Sequence, residues 1–363
     1  MTSFTWHIRR RTRTPDFPVQ NAMRRFPSLQ GVYLYLQDEN GVQCLGEASP
    51  LPGYSPDTLD HTEQVLSTAV ALLNKQCRTD HMESLESIEA ASATIPHTAP
   101  AARFALETAL LDRLATLRNV PIWQLFVSDA KPVAINGLLN CDAGPDNIEQ
   151  LFHQGVRVFK LKVGRPGRHA DELRLLSFLR AGYGDNVEIR LDANGGLSPE
   201  KMNSQMRDYS EFTPTFIEEP TPYPSAPDAP MWPIAAAADE SLISSENRAL
   251  LLEDSRYTVW VLKPTLLGGW FAVRRLAALA RGAGKRIIVT HIFESLPAFL
   301  AHIHLTISLG VTDACGLYPH AGLGPFRNHT ACKLTNGQLA VPTAVGLGVS
   351  SRELESDCAG EQV

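Results

Sequence analysis

The chain has 363 residues, 44% hydrophobic and 20% charged, and its 33 basic against 39 acidic side chains leave a net charge of −6. This composition is that of a globular protein and excludes collagen-like and disordered classes, and it provides no global positive field for nucleic acid or anionic lipid, so any anionic substrate must be held by a local device. No apolar run approaches the roughly 20 residues of a membrane span, and the basic N-terminus, MTSFTWHIRRRTRT, has no apolar segment behind it to make a secretory signal.

At this length the expectation is two domains, or one large α/β barrel with an appendage. Strand patterns come first, at Phe4–Arg10, Gly31–Leu36 and Val42–Glu47, with Asp38-Glu39-Asn40-Gly41 as turn chemistry between the last two. Helical patterns follow at Pro56–Gln76, Glu83–Ala93 and Ala99–Leu117. The last carries Phe104, Leu106, Leu110, Leu111 and Leu114 on a broad apolar stripe, with Pro100 at its start, where a helix tolerates proline. Together they read as an α+β lobe.

From about Val133 short apolar runs alternate with helix-compatible segments. The runs are 133–139, 159–163, 188–193, 215–220, 235–241, 259–264 and 286–292; the helical segments include Ala170–Ala181, Pro199–Ser210 and Gly269–Ala283. That alternation implies βα units and a parallel sheet, and so many units in succession point to a (β/α) barrel. A doubly wound sheet fits less well. Its Gly-rich phosphate turn is missing, and Gly164-Arg165-Pro166-Gly167 has a proline and the wrong spacing. The proline-rich PTPYPSAPDAP (220–230) reads as a βα loop, LTNGQLAVP (334–342) as a hairpin returning to the first lobe, and the tail from Ser351 as frayed. The domains expected are thus 1–130, 131–330 and a C-terminal return over 331–363. Cys44, Cys77, Cys141, Cys315, Cys332 and Cys358 lie scattered without a C-x-x-C pair, which suits reduced, mostly buried thiols in a cytoplasmic protein.

Charges fall at the ends of the apolar runs: Lys160 and Lys162, then Asp192 and Asn194, Glu218 and Glu219, Asp239 and Glu240, and Lys263. Successive groups from Lys162 onward are 30, 26, 21 and 24 residues apart, about one βα unit each. Barrel enzymes place their chemistry at those C-terminal strand ends, and period-two alternation puts Lys160 with Lys162, and Asp192 with Asn194, on one side. Three converging carboxylates repel unless a cation sits among them, and oxygen-only donors favour a hard ion such as Mg²⁺. Flanking lysines fit a carbon-acid reaction, in which one removes a proton while the metal holds the developing enediolate. To act as a base that lysine must be neutral, so its pKa must be depressed.

At these residues the sequence resembles the enolase superfamily, in its muconate-lactonizing-type branch. The resemblance rests on K-x-K (Lys160, Lys162), D-x-N (Asp192, Asn194), E-E-P (Glu218, Glu219, Pro220), D-E-S (Asp239, Glu240, Ser241) and K-P-T (Lys263, Pro264, Thr265). It implies a modified (β/α) TIM-type barrel with an N-terminal α+β capping domain completed by the C-terminal segment. It also implies Mg²⁺ held by Asp192, Glu218 and Asp239, with Lys162 as acid/base, Lys263 facing it, and Lys160 keeping Lys162 in a useful range. Within the superfamily the chain looks most like the o-succinylbenzoate synthases, and GEASPLPGYSPDT (46–58) resembles the stretch by which their capping domain approaches the site.

The activity so implied is dehydration of a cyclohexadiene carboxylate to 2-succinylbenzoate in menaquinone synthesis. Asn194, His291, Glu294 and Ser295 are the expected substrate contacts. A departure is THIFES (290–295), where those synthases carry a more serine-rich stretch. The expected substrate loop, Arg11–Arg24, is rich in arginine and proline, and Arg24 and Arg25 are candidates for the succinyl carboxylate. The partner expected is a small carboxylate, with neither nucleic acid nor membrane.

Two opposed lysines equally suit an N-acylamino acid racemase or a dipeptide epimerase. The epimerases carry a D-x-D near the last strands, whereas Asp313 stands alone in TDACG. A metallohydrolase would need His-x-His on an early strand, and His302 and His304 fall in a late helical pattern where i and i+2 diverge. The intact lysine and carboxylate set argues against a non-catalytic binding protein.

Overall fold

The computed structural model describes residues 4–15, 19–20, 25–38, 41–76, 82–224 and 231–354. Strand β1 (Thr5–Arg13) leads to a small ribbon, β2 (Val19–Gln20) with β3 (Arg25–Phe26), and then to β4 (Leu29–Gln37) and β5 (Gln43–Ala48). β1, β4 and β5 form an antiparallel sheet in that order. The turn between β4 and β5 closes through Gly41 N–H to the Asp38 carbonyl at 3.0 Å, with Gly41 at φ +81°; Glu39 and Asn40 lie outside the described residues.

The expected loop over Arg11–Arg24 is corrected at its start. Arg11 and Arg13 continue β1 and are buried, because Arg11 is neutralised inside the lobe by Glu47 at 2.5 Å, which hydropathy alone does not register. Arg25 is exposed in β3, and Arg24 lies outside the described residues.

Helices α1 (Leu59–Gln76) and α3 (Pro100–Leu117) pack on this sheet, and α2 (Leu85–Ser92) packs on α3. Ser84 caps α2, accepting from Ser87 N–H while the Ser87 hydroxyl returns to the cap. The apolar stripe expected on α3 is buried, and so is the rest of the helix from Pro100 to Ala115. It is wedged between β5 and the barrel helices, and a helix covered on all sides loses its amphipathic signature. Gly46 makes the approach possible: a Cβ there would lie 1.9 Å from the Ala105 carbonyl oxygen.

The second half begins with β6 (Val133–Ala134) and β7 (Asn136–Leu139). It then alternates through α4 (Pro145–His153), β8 (Val158–Lys162), α5 (His169–Tyr183), β9 (Glu188–Asp192), α6 (Pro199–Ser210), β10 (Ile217–Glu218), β11 (Ala236–Ala238) and α7 (Ser245–Glu253). It continues through β12 (Tyr257–Leu262), the short α8 (Pro264–Leu267), α9 (Gly269–Gly282), β13 (Arg286–Val289) and α10 (Leu296–Ser308). β7 to β13 form one seven-stranded parallel sheet in chain order. Residues 315–316 close it into a barrel, bridging Ile135 on one edge and Thr290 on the other. Helix α4 is not among the helical segments named from the sequence; it is nine residues long, with Pro145 at its start and one short apolar stripe of Ile148, Leu151 and Phe152.

The C-terminal hairpin, β14 (Leu334–Thr335) with β15 (Gln338–Leu339), pairs with β6, which corrects the expected return of this hairpin to the first lobe. The return comes later: Gly346 exchanges backbone bonds with Val120 and Ile122, and Leu347 N–H donates to Asp112 Oδ1 at 2.7 Å. Cys44, Cys315 and Cys332 are buried free thiols and Cys141 is half-buried; Cys77, Cys358, the loop 225–230 and the tail beyond 354 lie outside the described residues. Among the described residues no helix is long and apolar enough to cross a membrane.

Candidate active site at the barrel mouth

The C-terminal ends of the barrel strands open on a cavity of about 580 Å³. Parallel register sets its chemistry, because Lys162 pairs with Asp192 across β8 and β9, and Asp192 with Glu218 across β9 and β10. Asp239 follows β11 directly and Lys263 follows β12. The charges expected at five strand ends therefore do face one space: Lys160, Lys162, Asp192, Glu218, Asp239 and Lys263 all line it.

The three carboxylates are between 1% and 3% exposed. Lys160 Nζ lies 2.9 Å from Asp192 Oδ2 and donates to both oxygens of Glu218 at 3.0 and 3.1 Å. Lys162 Nζ donates to Asp192 Oδ2 at 2.5 Å and to Asn194 Oδ1 at 2.7 Å. Lys263 Nζ donates to Asp239 Oδ2 and to the Tyr54 hydroxyl.

Burial alone would raise the Asp192 pKa, but Lys160 and Lys162 outweigh it and hold that carboxyl below the usual range. Burial and then Glu240 push Asp239 upward. For Lys160 and Lys263, burial opposes the charge and the neighbouring carboxylates outweigh it, so both stay above the ordinary lysine value. Among the described residues no three carboxyl, imidazole or thiol groups form a ready-made metal cage; here the ammonium groups are the counter-charges. The donor set nonetheless fits a hard divalent cation, being oxygen-only and drawn from adjacent strands.

The backbone is shaped to aim these groups. Asn194 and Glu219, just past strands β9 and β10, adopt φ of +44° and +39°, and Phe293 adopts +72°. Such left-handed positions are costly for residues other than glycine and cluster where geometry is functional. Glu219 brackets the Asp239 turn, accepting from Asp239 N–H, Ser241 N–H and the Ser241 hydroxyl, each at 2.8 Å. Burial, then Glu240, pushes its carboxyl up to about 7.

Of the expected substrate contacts, Asn194 and His291 line the cavity. Glu294 and Ser295 do not line it, because their polar atoms are engaged in the wall behind. Glu294 accepts from the Thr265 hydroxyl at 2.7 Å, Ile292 N–H at 2.6 Å and the His302 ring at 3.0 Å. Ser295 meets Tyr33 and Glu47 of the first lobe. His302 and His304 lie on α10, both buried, and diverge: His302 faces Glu294, while His304 accepts from Trp123 N–H at 3.3 Å.

Burial would raise the Glu294 carboxyl, but His302 and its hydrogen bond prevail and hold it at about 2. Depressed below its unfolded value of about 4.3, it stabilises the fold above that pH and loses the effect as pH falls towards 2. We predict that Glu294→Gln is less stable than wild type at pH 7, by on the order of 3 kcal/mol. The gap should shrink in acid unfolding curves taken to pH 2; an undiminished gap would contradict this assignment.

The stretch 46–58 does reach the cavity, through Leu51 and Tyr54, although the sequence does not single out those side chains. Tyr54 sits in the 46–58 stretch, and its hydroxyl joins Lys263 to Glu240, 3.2 Å from Glu240 Oε1. Leu51, Val19, Ile292 and Leu266 form a small apolar cluster separate from the main core, with Tyr54 and Phe293 against it. These residues are far apart in sequence, and nothing in their spacing announces that they meet.

Comparison with known proteins follows the same outline. The family description "Mandelate racemase / muconate lactonizing enzyme, N-terminal domain" matches residues 4–126, and "Enolase C-terminal domain-like" matches 145–355. An o-succinylbenzoate synthase of Desulfotalea psychrophila is 33% identical over 206 residues, 54% of this chain and 56% of that enzyme, so the chain matches little more than half of this relative's length. A hydrophobic dipeptide epimerase of Citrifermentans bemidjiense is 26% identical over 319 residues, 82% of this chain and 83% of that one. The crystal structure of a dipeptide epimerase from Methylococcus capsulatus, complexed with Mg and the dipeptide L-Arg-D-Lys, superposes with a TM-score of 0.79 at 24% identity, covering 96% of this chain and 99% of that one.

Proposed function

The chain belongs to the enolase superfamily, in its mandelate racemase and muconate lactonizing branch, and from that premise we propose that it is a Mg²⁺-dependent dehydratase. The reaction is conversion of 2-succinyl-6-hydroxy-2,4-cyclohexadiene-1-carboxylate to 2-succinylbenzoate, as in menaquinone synthesis. Unpaired Cys44, Cys315 and Cys332 support a reducing, cytoplasmic setting. The observation that carries the choice of reaction is the one-sided charge of the cavity. Asp192, Glu218, Glu219, Asp239 and Glu240 crowd one wall, while the lining from Thr290 onward, among the described residues, holds no carboxylate. Asp313 is at the opposite end of the barrel, 2.6 Å from Arg286. A substrate bearing a free ammonium on that far wall finds no counter-ion there, whereas the carboxylate of a succinyl tail meets no like charge in that part of the lining.

Asp192, Glu218 and Asp239 would hold the cation. When bound, Mg²⁺ supplies Lewis-acid charge for a substrate carboxylate and for the negative charge that grows there as a proton leaves. Lys162 takes the proton from the carbon next to that carboxylate and returns it to the departing hydroxyl on the same face. A C–H and a C–O bond break, a C=C bond forms, and water leaves. Lys263, held by Asp239 and Tyr54, offsets developing charge from the opposite side. Lys160 shares Asp192 with Lys162, so two ammonium groups stand against one carboxylate beside the reacting carbon. Aromatisation makes the second step downhill.

The purified protein with Mg²⁺ is expected to form 2-succinylbenzoate from the cyclohexadiene, and EDTA to abolish the activity until Mg²⁺ is restored. The opposed lysines favour one second reading, an N-acylamino acid racemase. If the protein exchanges the α-proton of N-succinyl amino acids in D₂O and ignores the cyclohexadiene, that reading replaces the first.

A further inference from the structure

The far wall of the cavity contains an imidazole pair to which the chemistry above gives no part. His291, just past β13, stacks on His320, with ring centroids 3.8 Å apart and planes at 28°. Phe293 and Phe299 meet the edges of His320 at 5.6 and 5.9 Å. Both rings are locked in the same way. Phe293 N–H donates to His291 Nδ1 at 3.1 Å, and Gly322 N–H donates to His320 Nδ1 at 3.1 Å. A nitrogen that accepts a backbone hydrogen bond carries no proton, so in each neutral ring the proton is on Nε2.

The second lock depends on glycine, since a Cβ at position 322 would lie 2.5 Å from the Phe293 carbonyl oxygen and 2.8 Å from His320 Nδ1. Burial, then the neighbouring imidazole, drives the His291 pKa well below its usual value, so the ring stays a neutral donor. His291 lines the cavity, and among the described residues no acceptor meets its Nε2–H.

We propose that His291 is a fixed-tautomer hydrogen-bond donor for an acceptor oxygen, carbonyl or carboxylate, on the substrate's tail remote from the reacting carbon, with His320 as its positioning residue. The wall that carries it selects acceptor-bearing tails and turns away ammonium-bearing ones, because its donor nitrogen has no lone pair to offer and the nearby Glu294 carboxylate does not line the cavity, being engaged by Thr265, Ile292 N–H and His302 behind it. This deepens the dehydratase reading and rests on it only for the first choice of substrate.

The test uses the full-length enzyme with Mg²⁺ and scores the variants on whichever substrate wild type turns over, the cyclohexadiene or an N-succinyl amino acid. His291→Phe, which keeps the stack and loses the donor, is expected to raise KM on the order of ten-fold or more with kcat little changed, the size of one lost hydrogen bond to a charged acceptor. His291→Gln, with a donor amide, recovers part of the loss. His320→Ala gives a smaller KM rise, and His320→Phe, which retains a ring to stack on, gives less still. Unchanged KM in His291→Phe overturns the proposal and leaves the dehydratase intact. Failure of wild type on the cyclohexadiene, with the His291 effect seen on N-succinyl amino acids, overturns only the dehydratase. Turnover of neither substrate, or efficient use of a dipeptide with a free ammonium, overturns both.

Discussion

Lys162→Ala is expected to lower turnover of the cyclohexadiene by on the order of 10³-fold while leaving the protein folded and able to bind Mg²⁺. General-base catalysis by a positioned side chain typically contributes about 10²–10⁴-fold, and in the proposed mechanism the same amine both takes the proton and returns it. The fold should survive because Lys162 is 20% exposed and Asp192 keeps its second partner, Lys160, at 2.9 Å. Lys162→Arg should not restore activity, since a guanidinium cannot be deprotonated at neutral pH. Rate measurements, circular dichroism and Mg²⁺ titration on the two variants check these points together. A fully active Lys162→Ala protein would sink the mechanism.

The lysine proposed as base is legible in the sequence for a physical reason. In a parallel barrel each strand end faces the same mouth, so charges spaced by one βα unit and lying at the ends of apolar runs converge. Lys160, Lys162, Asp192, Glu218, Asp239 and Lys263 follow that rule, and the cavity contains all six. Glu294 and Ser295 lie past a strand end too, yet they turn away, because the left-handed Phe293 re-aims the chain. Their partners, His302, Thr265, Tyr33 and Glu47, come from other elements, and no local pattern foretells such pairings. Tyr54 and His320 are hidden for the same reason, whereas Arg11 misleads because its neutralising partner is 36 residues away.

Glu47→Ala is expected to be the most destabilising substitution at the contact between the two lobes. Glu47 is 0% exposed. Its Oε1 accepts from Arg11 at 2.5 Å, the Ser49 hydroxyl at 2.6 Å and Ser295 N–H at 2.8 Å, and its Oε2 accepts from the Ser295 hydroxyl at 2.8 Å and Ala298 N–H at 3.1 Å. One carboxylate thus neutralises a buried arginine of β1 and satisfies the first turn of α10 across the lobe boundary. Removing one partner of a buried ion pair costs about 3–5 kcal/mol, because the other charge is left unpaired. The thermal midpoint should fall by several degrees, and proteolysis should open the first lobe sooner. The double variant Arg11→Met with Glu47→Leu should recover much of the loss. A single variant as stable as wild type would show that the pair contributes nothing.

The late return of the chain has a consequence for biosynthesis. Asp112 of α3, its carboxyl pushed up to about 7 by burial, accepts from Leu45 N–H close by and from Leu347 N–H 235 residues further on. At roughly 5–20 residues per second on a ribosome, the second donor arrives about 10–50 s after the helix itself. Throughout that interval the first lobe carries an uncovered acceptor and an unsealed flank, to be closed only by residues made long after it. Nascent chains halted before Leu347 should therefore hold this lobe in a looser, protease-sensitive form, even with every strand of the barrel already synthesised.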